Sequence, residues 1–272
     1  MKAKSQKIAI LGSGNIGMSL AKGLVKTQYC QPQDITLTRR SLHHLSAQAE
    51  LGYQVSDQNF DAVVNSSVII LAVLPQQLDT LMAQIKDAID PEKHVVISII
   101  SGVSCANIKA KLGNDVQIIR VMPNTAIAIG QSMTCIASDN ASEDNIVEVT
   151  KMFETVGSVI QINEDLMTSA TALCACGIAF FLRAIRAASQ GGIEIGFHAD
   201  EALKMAIQTA KGAADLLLLM NTHPEHEIDK VTSPKGCTIA GLNEMEHQGF
   251  SSSLIKGIKL SALKAGELYT KG

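Results

Sequence analysis

The 272-residue chain has no tryptophan, only three tyrosines and only six phenylalanines. So few aromatics leave no platform on which nucleic-acid bases could stack. Its 23 basic residues are nearly balanced by 26 acidic ones, which excludes the electrostatic footprint of a protein that grips nucleic acid or an anionic membrane. No linker rich in proline or serine, no internal repeat and no low-complexity tract divides it. No apolar run reads as approaching the roughly 20 residues of a membrane span. The opening MKAKSQ is a short basic lead without a signal peptide's apolar core. These absences predict a soluble, cytoplasmic protein with one large or two medium domains and no nucleic-acid or membrane partner.

Paired cysteine motifs are missing too. Cys30, Cys105, Cys135, Cys174, Cys176 and Cys237 are scattered through apolar sequence without a CxxC pair. They read as buried, reduced thiols and not as a zinc site or a disulfide framework. His223 and His226 in HPEHE could be taken for a metal pair, but Pro224, Glu225 and Glu227 make a solvated helix start the better reading. No metal is expected.

What the sequence does contain falls into two textures. KIAILGSGNIGMSLAKGLV is a β-branched run, a glycine turn and a helix. DITLTRR, SSVIILAVLP, HVVISIISG and VQIIRVMP follow as further strands between helical stretches. Continuous apolar strands of this kind predict a parallel sheet covered on both faces, a doubly wound α/β domain over residues 1–163. From 164 to 272 nothing alternates with period two, and an all-α region is expected. Its helix from Leu166 to Ala188 is apolar nearly all round, and Asp215 to Met220 reads DLLLLM. Such helices need more cover than one small domain gives, so a partner subunit is predicted.

Gly12, Gly14 and Gly17 form the GxGxxG of a dinucleotide fingerprint, in its required place between the first strand and the first helix. The second strand then ends Thr36, Leu37, Thr38, Arg39, Arg40, Ser41, where an NAD enzyme would carry an acidic residue. Two guanidiniums beside hydroxyls suit the 2′-phosphate of NADPH, with NADH as a second possibility. The stretch VTSPKGCTIAGLNEMEHQGF groups hydroxyls and a helix start without a nearby acid or base. Two readings stay open from these residues. Ser233 and Pro234 could simply cap and begin a helix, or the free amides of the helix start could hold an anion.

These landmarks resemble the pyrroline-5-carboxylate reductase family over nearly the whole chain, through IAILGSGNIG, VIILAVLPQ, RVMPNT and above all HPEHEIDKVTSPKGCTIAGLNEMEHQGF. The resemblance implies an N-terminal Rossmann domain and a C-terminal helical domain that binds substrate and interlocks with a second subunit. The assembly would be a homodimer or a ring of dimers, a homodecamer. It implies NADPH-dependent reduction of 1-pyrroline-5-carboxylate to L-proline, the last step of proline biosynthesis. By the same resemblance Gly12, Gly14, Asn15 and Ile16 hold the pyrophosphate and Asn59 lies near the adenine end. Ala72, Val73, Leu74 and Pro75 pass the cofactor, and Met122, Pro123 and Asn124 lie beside the nicotinamide. Ser233, Gly236, Cys237 and Thr238 hold the substrate, with Thr238 catalytic. The chain departs from the family pattern at Leu74 (usually Lys), at Cys174–Phe180 (CACGIAF for SGSGPAY), at Ala126 (commonly Pro) and at Lys235 (usually Gly), which predicts a milder helix break. Rival readings are a β-hydroxyacid-type dehydrogenase, with Lys204 or Lys211 as its acid-base group, and a non-catalytic cofactor-binding sensor.

Overall fold

A computed structural model describes residues 6–269, so the basic lead Met1–Ser5 lies outside the described residues. The chain forms two compact units, one reaching to Cys176 and resuming at Ser261, the other spanning Gly177–Leu260.

The first unit is built on an eight-stranded sheet of order β3-β2-β1-β4-β5-β6-β7-β8. Its first five strands are β1 (Ile8–Leu11), β2 (Ile35–Thr38), β3 (Gln54–Ser56), β4 (Val68–Leu71) and β5 (Val95–Ser98). They are followed by β6 (Gln117–Met122), β7 (Ser132–Ser138) and β8 (Gly157–Gln161). Successive residues of the central strands point to opposite faces. Ile8 and Ile10 join one apolar cluster while Ala9 and Leu11 join another. The first cluster is covered by α1 (Asn15–Lys26), through Leu20 and Leu24. A short helix α2 (Ser46–Glu50) follows β2. The second cluster is covered by α3 (Asn59–Val64), α4 (Leu78–Ile85) and α5 (Cys105–Leu112). Burial on both faces is why these strands read as unbroken apolar runs.

The all-parallel expectation needs one correction: β7 runs antiparallel to β6. Only nine residues, Pro123–Gln131, join them, too few for the dozen or more of a parallel crossover. Strand β8 then returns parallel to β7 after α6 (Glu143–Glu154).

Glu164 fastens the chain after β8 to the sheet. Its Oε1 accepts from Arg120 Nη1 at 3.1 Å and from the Cys105 amide at 2.6 Å. Next come a short helix α7 (Met167–Ala170) and a π-helical turn, Thr171–Cys176. The milder break expected at CACG is therefore a π-turn inside a continuing helical run. That run, Glu164–Glu194, is long and apolar enough to cross a membrane by length and composition, which corrects the expectation that no such run exists.

The second unit contains α8 (Gly177–Glu194), α9 (Ala199–Met220), α10 (Pro224–Val231), α11 (Cys237–His247) and most of α12 (Phe250–Gly266). His223 caps α10, its Nδ1 accepting from the Glu225 amide at 3.3 Å, and Pro224 takes the first helical position.

The end of α12 belongs to the first unit. Gly102 has φ +77° and its missing Cβ would meet the Ala265 carbonyl at 2.8 Å, so only glycine fits there. Tyr269 Oη donates to Asp79 Oδ1 at 3.1 Å, and Lys111 Nζ lies 2.7 Å from the same oxygen. Lys111, and then Tyr269, hold the Asp79 carboxyl below the usual range.

Candidate active site

In the sheet order the chain reverses direction between β1 and β4. That is a topological switch point, and ligands of such sheets bind beyond the carboxyl ends of the strands flanking it. A cleft of about 860 Å³ opens there.

The glycine turn after β1 forms its floor, and the three glycines do different work. Gly12 has φ +99°, and a Cβ on it would meet the Ala72 carbonyl oxygen at 2.6 Å. Gly17 sits where a Cβ would lie 2.7 Å from the Gly12 oxygen and 3.1 Å from Ile10, so it permits close packing of α1 on β1. Gly14 has nothing within 4 Å of its missing Cβ. It is the N-cap of α1, and no side chain caps that helix. Unopposed amides at the positive end of a 12-residue helix are the arrangement that binds a pyrophosphate. The buried Ser13 hydroxyl in the same turn has no hydrogen-bond partner among the described residues. These features fit a dinucleotide.

A relay of hydrogen bonds fixes the adjoining wall. The Gly12 amide donates to Thr38 Oγ1 at 3.3 Å, and Thr38 Oγ1 donates to Asn59 Oδ1 at 2.6 Å. Asn59 Nδ2 in turn donates to Gln84 Oε1 at 2.7 Å. Arg39 and Arg40 follow as exposed side chains, and Arg39 Nη1 reaches back to the Ser13 carbonyl at 3.4 Å. Ala72, Val73, Leu74 and Pro75 line the side beyond β4. The cleft thus gathers Gly12, Gly14, Asn15, Ile16, Thr38, Arg39, Arg40, Asn59 and Ala72 to Pro75 into one place.

Met122, Pro123 and Asn124 do not line this cleft; all three are buried. They lie one layer behind it, where Ser101 Oγ, a lining residue, approaches Met122 Sδ at 3.8 Å. The Asn124 side chain organises its own loop. Its Oδ1 accepts from the Ala126 amide at 3.0 Å, and its Nδ2 donates to the Cys174 carbonyl at 3.3 Å. A proline at 126 could not supply that amide, so Ala126 adds a hydrogen bond that the common family residue lacks. Sequence reasoning missed Ser13, Asp57, Gln84 and Ser101 as lining residues. Ser101 was within reach, since it follows the carboxyl end of β5. Asp57 places one carboxylate in the same cleft as the two guanidiniums.

The hydroxyl-rich loop lies in the second unit. The simple capping reading is corrected here: α11 starts at Cys237, with Gly236 at its N-cap and no side chain capping it. Ser233 to Gly236 form a turn closed by a 2.8 Å bond from the Gly236 amide to the Ser233 carbonyl. Lys235 occupies its third position with φ +58°. Proline followed by a positive φ is the pattern of a type II turn. Lys235 therefore keeps the left-handed backbone that a glycine would favour. Gly236 is demanded by space, because a Cβ on it would meet Ser233 Oγ at 2.5 Å. The turn brings the Ser233 hydroxyl against the helix start, with Thr238 one residue inside it.

Three of the six cysteines, Cys30, Cys105 and Cys135, are buried. Burial pushes Cys30 up to about 11 and Cys105 up to about 12, which suits inert core thiols. The expectation fails at Cys237, which is exposed, and at the half-buried Cys174 and Cys176. Of the lysines the rival dehydrogenase would need, Lys204 is exposed and Lys211 is exposed and paired with Asp215.

A Rossmann sheet whose switch point opens onto a glycine turn is the architecture of nucleotide-dependent oxidoreductases, and the fold and cleft assign the chain to that class. Comparison with known proteins narrows it. A family model described as pyrroline-5-carboxylate reductase dimerisation matches residues 164–268. Another, described as NADP oxidoreductase coenzyme F420-dependent, matches residues 7–102. The chain is 51% identical to pyrroline-5-carboxylate reductase 1 of Dictyostelium discoideum over 100% of its own length, and spans 51% of that relative. It is 45% identical to pyrroline-5-carboxylate reductase 2 of the same organism, over 97% of this chain and 93% of the relative. The fold matches that of a Plasmodium falciparum pyrroline carboxylate reductase with NADP bound, at a TM-score of 0.90 and 22% identity over 97% of this chain and 98% of that one. The chain belongs to the pyrroline-5-carboxylate reductase family.

Proposed function

We propose that the protein reduces 1-pyrroline-5-carboxylate to L-proline with NADPH, the closing step of proline biosynthesis. The observation that carries this reading beyond family membership is the uncapped start of α11 behind the Ser233–Gly236 turn. A five-membered cyclic imine bearing a carboxylate matches what that loop offers. The amides of Cys237 and Thr238 and the Ser233 hydroxyl take the carboxylate at the positive end of the helix. The Thr238 hydroxyl hydrogen-bonds the ring nitrogen.

Such chemistry asks little acid-base work of the protein. A protonated imine becomes a neutral amine when hydride reaches its carbon, so no strong general base is needed at the site. NADPH, when bound, supplies that hydride. The residues of the chain fix its position: Gly14, Asn15 and Ile16 hold the pyrophosphate, and Arg39 and Arg40 take the 2′-phosphate. Asn59 and Ala72 to Pro75 line the adenine end and the passage toward the nicotinamide, with Met122 to Asn124 supporting it from behind. Catalysis is then chiefly the holding of two reactants in one geometry.

We extend the same reading to assembly and location. The functional unit is a homodimer that builds into a decameric ring, soluble in the cytoplasm, and the exposed apolar side chains of α8 and α9 support association. The test is NADPH oxidation by purified protein upon addition of pyrroline-5-carboxylate, with proline measured as product. Stoichiometric proline is expected. Oxidation that is no faster with the imine than without it would reject the reading, and NADP+ reduction by a β-hydroxyacid, faster than the imine is reduced, would favour the rival dehydrogenase.

A further inference from the structure

The CACG segment brings two thiols together. Cys135 lies on β7 opposite Met122 of β6 and is 3% exposed. Cys174 lies in the π-helical turn and is half-buried. Their Sγ atoms are 3.8 Å apart, against about 2.05 Å in a disulfide. Both belong to the first unit.

The two environments differ in a way that gives each thiol a role. Either sulfur can donate in this contact; Cys174 is the more exposed of the two, and a hydrogen bond from Cys135 to its sulfur holds it below the usual thiol range. The same hydrogen bond and its burial push Cys135 up. Cys174, which solvent reaches, is accordingly the nucleophile, and the buried Cys135 is the resolving thiol beside it.

The pair also flanks the Asn124 loop. The Cys174 carbonyl accepts from Asn124 Nδ2 at 3.3 Å, and Ser132, three residues before Cys135 on β7, accepts the Asn124 amide at 3.1 Å. A π-turn is a strained insertion in a helix and is often found at functional sites. The sulfur that would be drawn toward β7 and the carbonyl that holds Asn124 belong to the same residue.

We propose that Cys135 and Cys174 are a two-thiol oxidation site for hydroperoxides, whose disulfide reversibly lowers turnover by shifting the Asn124 loop. The effect on turnover rests on the proposed role of Met122 to Asn124; formation of the bond does not. The Cys174 thiolate attacks the peroxide oxygen, the O–O bond breaks, and with one proton water leaves and a sulfenic acid remains. Cys135 then attacks that sulfur, the S–O bond breaks, and its proton departs with the second water. Two thiols are oxidised by two electrons, and one hydrogen peroxide is reduced to two waters.

The test uses the full-length, pre-reduced protein in its native oligomer, titrated with hydrogen peroxide and then alkylated. Non-reducing peptide mapping should yield a peptide pair joining Cys135 to Cys174. Turnover should fall roughly 10- to 100-fold, as for a reacting group displaced by about an ångström, and should recover with dithiothreitol. Cys135→Ala and Cys174→Ala should each resist this loss, while Cys176→Ala should remain sensitive. Mapping of the unmutated protein stands even where a variant misfolds. Oxidation of other cysteines with no Cys135–Cys174 link would overturn the proposal, as would a link that leaves turnover unchanged. A link formed in a protein that never reduces the imine would instead reject the catalytic reading while the thiol site stands.

Discussion

The two units solve the burial problem in opposite ways. In the first, strands β1 and β4 are wholly buried and two apolar clusters close over them from α1, α3, α4, α5 and α6. In the second, the buried residues of α8 are Gly177 and Ser189, that of α9 is Ala202, and α10 and α11 have none. Phe181 is 63% exposed, Leu218 80% and Leu219 82%. A helix apolar around most of its surface is stable only when something covers it. The first unit closes its sheet with its own helices, while the second, which lies within the stretch matched by the dimerisation model, leaves its apolar helix faces uncovered, and the proposed dimer would cover them.

The largest effect is expected where that cover is removed. Leu218→Asp with Leu219→Asp withdraws two apolar side chains from the interface, each worth about 1.5–3 kcal/mol when buried. The double variant should lose its dimer at micromolar concentration, read as a halved mass by light scattering. An unchanged mass would mean that these leucines face solvent in the assembly, and the contrast between the units would narrow.

Next comes the claim that the second unit supplies chemistry as well as association. Thr238→Ala should lower kcat roughly 10- to 1000-fold, about 1.4–4 kcal/mol, as for one polar group acting in a transition state. Thr238→Ser should retain most activity, and Thr238→Val should behave like Ala while keeping shape. The KM for NADPH should hold steady. Normal turnover with a lower Tm would make Thr238 a structural residue of α11.

The first unit should choose the cofactor alone. Its cleft joins Arg39 and Arg40 with one carboxylate, Asp57. NADPH should be favoured over NADH in kcat/KM by roughly 1–3 kcal/mol, and Arg39→Ala with Arg40→Ala should remove most of that. Equal use of both cofactors by the unmutated enzyme would place the choice elsewhere.

The same contrast governs what could be read in the sequence. Strands β1 and β4 announce themselves because burial on both faces requires unbroken apolar runs, β5 and β6 are apolar but for Ser98, Gln117 and Arg120, and β2 shows as Ile35 and Leu37 alternating with Thr36 and Thr38. Strand β3 is three residues of mixed polarity, Gln54 to Ser56, held by its pairing with β2. Strands β7 and β8 carry no clean alternation, and β7 takes its direction from a short link. Within the cleft, the glycine turn and the arginines are local signals. Gln84 lines it only because α4 brings that residue to Asn59, a tertiary fact without a local trace. The π-turn is visible only as the missing glycine and proline of CACGIAF, and the 3.8 Å approach of Cys135 to Cys174 spans 39 positions.

The smallest effect tests whether the α11 loop depends on backbone shape or on the side chain that departs from the family. Lys235 holds φ +58°, a region that costs a non-glycine residue roughly 1–2 kcal/mol. Lys235→Gly relieves that cost in the folded state, but it also loosens the unfolded chain, which takes back about 0.4–1 kcal/mol. The two effects partly offset each other, leaving a net stabilisation of about 0–1.6 kcal/mol and a rise in Tm of no more than about 6 °C. Gly236→Ala makes the opposite case, since its Cβ would stand 2.5 Å from Ser233 Oγ and 2.9 Å from the Ser233 carbonyl. It should displace the hydroxyl and raise the KM for the imine. If shape is what matters, Lys235→Gly leaves both kcat and KM where they were. A several-fold rise in the KM for the carboxylate-bearing imine, with the Tm unchanged or higher, would show that the Lys235 ammonium itself meets the substrate.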